Sequence, residues 1–514
     1  MSRLALHNFS RNNKRFSYSI AHYDIALILD PRRRKIRGDV SVVLTPLQRT
    51  REICFLLDDN CTVDRIDFLG IALPYKIRPA SPGLNLITAT LPIWAETTEK
   101  LVVNLIYSWV EPSWSTSLEL SPHSHWYPFS PTPQRYTCAL DVVVSDSVRV
   151  LGPGDFRGTK PASTKVSHRW VSEIPFWGIH MVAGEFLKTT RETEPPLEID
   201  YPRRLLNQAK AVADNGEELI GFLTESLGPA PFPVQTVVLT DELEPRVRSS
   251  FYMTSISDGT LKQIKEDNPG KERYMYQYKL LAESLAHHWL KDNLTVPHAK
   301  ERWCMEGLAE YFSWLAVEKK FGKSSRGKIM TQARERILAN PRVSLRKGAS
   351  ISQGKPSQWV IDKASWIMRM CHCLAGEKFL HSIQENLALC QGASPKGAEF
   401  FLSLGRLAGK DLSQFYKSWY LSREELRIGI IGVDKFQEEN GQCQLAFNLV
   451  NNGRLKWPHH VELEIVLANG SKERHSLFIQ PEPHIISTDS PVRSMEVDPD
   501  MCLLNWASKN KYYI

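Results

Sequence analysis

A chain of 514 residues is too long for one hydrophobic core, so roughly two to four domains are expected. The 42% hydrophobic, 24% charged composition excludes a disordered or fibrous protein. A formal net charge of +7, with both signs dispersed along the chain, gives too weak a field to argue for a nucleic-acid partner.

The first twenty residues contain no apolar stretch with a small-residue cleavage site, and no run anywhere approaches the roughly eighteen apolar residues of a membrane span. The alternation His22-Tyr23-Asp24-Ile25-Ala26-Leu27-Ile28-Leu29 predicts a strand, and Gly38 to Leu44 predicts its partner. Between them Asp30-Pro31 and the basic run Arg32 to Lys35 read as a solvated hairpin tip. Leu101–Tyr107 and Cys138–Val144 continue the β pattern. With no crossover helix evident up to Phe186, the sheets are expected to be largely antiparallel.

The period changes near Tyr201. Arg203–Val212 opens a helix-rich region that includes one strand, Val234–Leu239, and helices expected at about 271–291, 303–320 and 362–375. Alternation returns past Ile428, in Gln444–Val450 and Val461–Leu467, as a small β-sandwich. The expected fold class is therefore multidomain α+β, with a β domain over 1–190, a helical domain over 191–426 and a β-sandwich over 427–514. Nine cysteines, odd in number and mostly scattered, do not form a disulfide framework and fit a reducing cytoplasm.

The chemistry-bearing segment is Leu281-Ala282-Glu283-Ser284-Leu285-Ala286-His287-His288-Trp289, followed by Trp303-Cys304-Met305-Glu306-Gly307. A zinc peptidase needs two His at i and i+4 on one helix, a Glu beside the first as base, and a third ligand from a later helix. The segment resembles the A-H-E-L-A-H-Q-W and W-L-N-E-G-F-A motifs of the zinc aminopeptidases of peptidase family M1. Ala282, Leu285, Ala286, His287, Trp289, Trp303, Glu306 and Gly307 match, and His287 and Glu306 stand the required nineteen residues apart. Around it, His22-Tyr23-Asp24 resembles the start of that family's saddle-shaped β domain. Trp126-Tyr127-Pro128 resembles a segment of its bacterial members, and Val497-Asp498-Pro499-Asp500 the closing strand of their small β domain. The resemblance implies a thermolysin-like helical domain between the two β domains.

The departures are equally specific. The first ligand position holds Glu283, and the general-base position holds Ser284, which cannot take a proton from metal-bound water at neutral pH. In Phe251-Tyr252-Met253-Thr254-Ser255, aligned with the family's G-x-M-E-N, the amine-anchoring Glu is Thr254. The transition-state Tyr is Ile361, ahead of Lys363, Arg369 and Met370, which match K-G-A-x-V-x-R-M. The resemblance implies metal ligands at Glu283, His287 and Glu306, holding zinc or another divalent ion at less than one per chain, if any. The expectation is a cytoplasmic, non-catalytic pseudo-peptidase that takes a peptide or protein ligand in the old cleft. The alternative is a metal-dependent hydrolase with an altered Glu/His/Glu site. His288 lies about 100° round the helix from His287 and is expected outside the site. A Ser284–His288 nucleophile–base pair lacks an acidic orienter, and His123, His125 and His298 lack partner ligands.

Overall fold

The structure, a computed structural model, describes Phe16 and residues 18–111, 114–122, 124–130, 134–250, 252–267, 270–293, 302–340, 343–351, 356–390, 396–437, 443–455, 460–507 and 509–514. His123, Phe251 and His298 lie outside the described residues. The chain is a multidomain α+β protein with a large N-terminal β region. It divides into two compact units, Met1–His298 with Cys390–Pro395, and Ala299–Leu389 with Lys396–Ile514.

The first unit is organised by an eight-stranded sheet. Its central strand, Tyr18–Asp30, buries Tyr23, Ile25, Leu27 and Leu29 and turns Asp24, Ala26 and Ile28 outward, as the period of two dictates. It pairs antiparallel with Lys35–Pro46 across the basic turn, where the Arg33 amide donates to Asp30 Oδ1 at 3.2 Å and the arginines are exposed. On its other side it pairs parallel with Tyr136–Val144, an exception among the described residues of these otherwise antiparallel sheets. Parallel neighbours need a long connection, and here more than a hundred residues separate them. The intervening Trp126-Tyr127-Pro128 is tied into the core, the Tyr23 and Tyr107 hydroxyls donating to the Pro128 and Trp126 carbonyls at 2.9 Å each.

A mixed five-stranded sheet follows, in the order Leu187–Arg191, Leu197–Tyr201, Gln235–Thr240, Met253–Ser257, Val247–Ser249. The helix Leu206–Leu227 is the crossover between the parallel strands Leu197–Tyr201 and Gln235–Thr240. Gly216 lets it seat there, since a Cβ at that position would stand 2.3 Å from Leu197 Cδ2. The single strand expected in this region is thus one of five. The unit continues through the helices Asp258–Asp267 and Lys271–Asn293.

The second unit holds the helices Trp303–Phe321, Lys323–Leu338, Leu345–Ile351, Gln358–Ala375, Lys378–Cys390 and Gly397–Leu407, then a three-stranded and a four-stranded antiparallel sheet between Ile428 and Tyr513. The helix expected from residue 362 begins at Gln358 and so includes Ile361. Cys373 and Cys502, 129 residues apart, form a disulfide, a correction to the expectation of reduced cysteines; the other seven are not disulfide-bonded. No helix among the described residues is long and apolar enough to cross a membrane.

Candidate functional site

The Lys271–Asn293 helix carries Glu283, Ser284 and His287 in the first unit. Glu283 and His287 stand at i and i+4 and share a face. His287 is buried, and Glu283 lies 3.7 Å from the Lys279 ammonium one turn earlier. Ser284, only 2% exposed, donates its hydroxyl to the Leu280 carbonyl at 2.7 Å, a bond internal to the helix. It does not bond His288, which disposes of a Ser284–His288 nucleophile–base pair.

Thr254 is fully buried on the Met253–Ser257 strand, opposite Val237 and Ser249 in the sheet. Its hydroxyl lies 2.9 Å from His288 Nε2 and 3.0 Å from Ser249 Oγ. His288 Nδ1 faces the Gln235 side-chain oxygen. Donation of Nδ1–H to that oxygen leaves Nε2 as the acceptor for the Thr254 proton. His288 is thus bonded to one of the sequence-predicted positions, Thr254, without sharing the helix face of Glu283 and His287. The 100° that separates it from His287 points it at the sheet.

In the second unit Glu306 is buried in the first turn of the Trp303–Phe321 helix. Gly307 allows close packing there, because a Cβ would lie 2.5 Å from Ala364 Cβ and 3.0 Å from the Ala364 carbonyl carbon. Ile361 is fully buried near the start of the Gln358–Ala375 helix. Two residues on, burial lowers the Lys363 pKa to about 8, against a weaker upward pull from Glu425.

Sequence reasoning missed a buried polar hub one residue from Thr254. Glu119 Oε1 is 2.8 Å from His180 Nε2 and accepts the Ser255 hydroxyl, while Oε2 takes Arg248 Nη1. Burial alone would push this carboxyl up, but His180, Arg248 and Ser255 together hold it at about 2. A lone Glu in the short strand Ser117–Leu120 carries no signal from which such a hub could be read.

Among the described residues no three His, Cys, Asp or Glu side chains stand together as a metal site, and Glu283 has an ammonium beside it. No chemical step through a metal follows from this arrangement.

No family model matches the chain, and no curated protein matches its sequence. Its structure is similar to that of Legionella pneumophila aminopeptidase A in complex with aspartic acid, with a TM-score of 0.75 and 13% identity. The chain has an aminopeptidase-like fold. The match covers 97% of this chain and 60% of that one, so the chain spans three-fifths of the relative's length. At this identity the likeness establishes fold alone.

Proposed function

We propose that the chain belongs to the M1 zinc aminopeptidase family, has lost peptide-bond hydrolysis, and serves as a non-catalytic peptide- or protein-binding module through its former substrate cleft. The proposal includes a saddle-shaped N-terminal domain, a thermolysin-like middle domain and a terminal β-sandwich divided near residues 190 and 426. The observation that carries it is Ser284. A hydroxyl at the base position has no useful basicity, and this one is buried and spent on the Leu280 carbonyl. Thr254 supports the same reading, since its hydroxyl is committed to His288 and its neighbours, leaving no carboxylate there to anchor a substrate amine. Glu119, the nearby carboxylate, is already saturated by three donors.

The experiment is turnover of a panel of aminoacyl fluorogenic substrates with zinc or manganese supplied, beside titration with fluorescein-labelled peptides of mixed sequence. Loss of base and oxyanion help forfeits at least ~10⁴-fold together, so turnover is expected at background. Saturable peptide binding is expected alongside it. Metal-dependent turnover abolished by Glu306→Ala would establish the altered hydrolase instead.

A further inference from the structure

A cavity of about 770 Å³ lies wholly within the first unit; Tyr252 and Met253 help to line it, while Thr254, Ser284 and His287 do not. One wall is the hairpin of the strands Asp155–Ala162 and Lys165–Phe176, which contributes Phe156, His168 and Trp170. The Phe156 ring stands 5.0 Å from Trp170 and 6.1 Å from His168, centroid to centroid, so the three form one aromatic surface. Phe232 and Tyr252 also line it. The volume is that of a small-molecule pocket.

Most of its polar groups are already matched. Lys188 pairs with Glu198, Asp155 and Glu173 share Arg157, and the Trp170 indole donates to the Val150 carbonyl at 3.1 Å. Arg149 is different. Its Nε donates to Asp200 Oδ1 at 3.0 Å, and that fully buried carboxylate fixes the plane of the guanidinium. Among the described residues its two Nη groups have no partner, although the side chain is 43% exposed. A second unmatched group is His168 Nε2, buried with no hydrogen bond among the described residues. An oriented guanidinium with two free donor groups matches the two oxygens of a carboxylate or sulfonate.

We propose that this cavity binds a small anionic ligand with an aromatic body, its acid group forked on Arg149 and its ring laid against Phe156 and Trp170. None of Thr254, Ser284, His287, Glu306 and Ile361 lines this cavity, and the inference does not rest on the proposed function.

The test uses two fluorescent probes of one shape, anilinonaphthalene sulfonate and the uncharged phenylnaphthylamine, titrated into the full chain. The sulfonate is expected to bind saturably, one per chain, and about tenfold more tightly than its neutral twin, the range of one charge-assisted hydrogen bond. Arg149→Lys keeps a cation for Asp200 but loses the fork. It should remove most of that preference and leave the neutral probe within about twofold. Phe156→Ala, at a half-exposed position that folding does not depend on, should weaken both probes. Equal affinity for the two probes, an unchanged preference in Arg149→Lys, or no effect of Phe156→Ala would each overturn the proposal, as would no saturable binding at all.

Discussion

The proposed function turns on two residues of the Lys271–Asn293 helix, Glu283 and Ser284. Glu283→His would restore imidazoles at i and i+4, and Ser284→Glu would supply a base. With Glu306 as third ligand, as the family resemblance implies, the double variant should take up zinc in calorimetric titration more tightly than the parent chain. It should still turn over aminoacyl substrates barely above background, because Thr254 and Ile361 provide neither an amine anchor nor an oxyanion donor. Unchanged zinc affinity would show that the helix does not present these positions to Glu306. Lys363 allows a different residue-level prediction. Its folded pKa, about 8, is below the ordinary lysine value because burial disfavours the ammonium, which folding must nevertheless bury with its proton at neutral pH. Sign follows from that: the penalty of burying the charge is fully present below about pH 8 and fades as pH rises through the unfolded value near 10.5. Lys363→Met should therefore stabilise at pH 7 by roughly 2–4 kcal/mol in denaturant titrations, with the gain shrinking towards pH 11. A pH-independent gain would assign it to packing instead. The positions that differ from the family motif were legible because identity alone decides acid–base capacity. The bonds that commit Thr254 to His288 and Glu119 to Arg248 were not, because they join residues 34 and 129 positions apart.

At the scale of elements, the half-buried strands were legible where one face meets the core. Tyr18–Asp30, Leu101–Val110 and Cys443–Asn451 all alternate. Met253–Ser257 is buried at every position, so no alternation announces it. The Lys323–Leu338 helix was missed because it buries only a narrow stripe, Ile329, Met330, Ala333 and Ile337, together with Arg326, which pairs with Glu318 and donates to the Asp500 carbonyl at 3.3 Å. A polar helix of this kind depends on tertiary partners. Helix packing gives the prediction here. Gly→Ala inside a helix normally stabilises by about 0.4–1 kcal/mol. At Gly307 the new methyl would meet the Ala364 Cβ and backbone, which cannot move aside as a flexible side chain would. Overpacking dominates, so Gly307→Ala should lower stability by about 1–3 kcal/mol in chemical denaturation. The paired change Ala364→Gly should recover most of it. No rescue would place the strain elsewhere along the helix.

Over the whole molecule, strand composition and the change of period showed an α+β chain with β structure at both ends, while the long-range closures came only with the structure. The Cys373–Cys502 disulfide is the longest covalent one, joining the end of the Gln358–Ala375 helix to the loop after the Val492–Val497 strand. That loop is bound to the same helix without the bridge as well, Arg369 donating to the Asp500 carbonyl at 3.0 Å, and it is braced internally by Asp498, which accepts the Cys502 and Leu503 amides at 2.7 and 2.8 Å. A covalent link closing a loop of 129 residues removes more entropy from the unfolded chain than from a folded one already held by these bonds. Its contribution is accordingly an unfolded-state effect. Cys502→Ser, or mild reduction of the parent chain, should leave circular dichroism at ambient temperature unchanged while lowering the unfolding free energy of the second unit by about 2–4 kcal/mol. Differential scanning calorimetry with limited proteolysis reads this unit by unit. Cleavage should rise within residues 299–389 and 396–514 and stay at parent levels in the first unit. Equal loss in both units would mean that they unfold as one cooperative body, and unchanged stability would mean that the bridge does not form in solution.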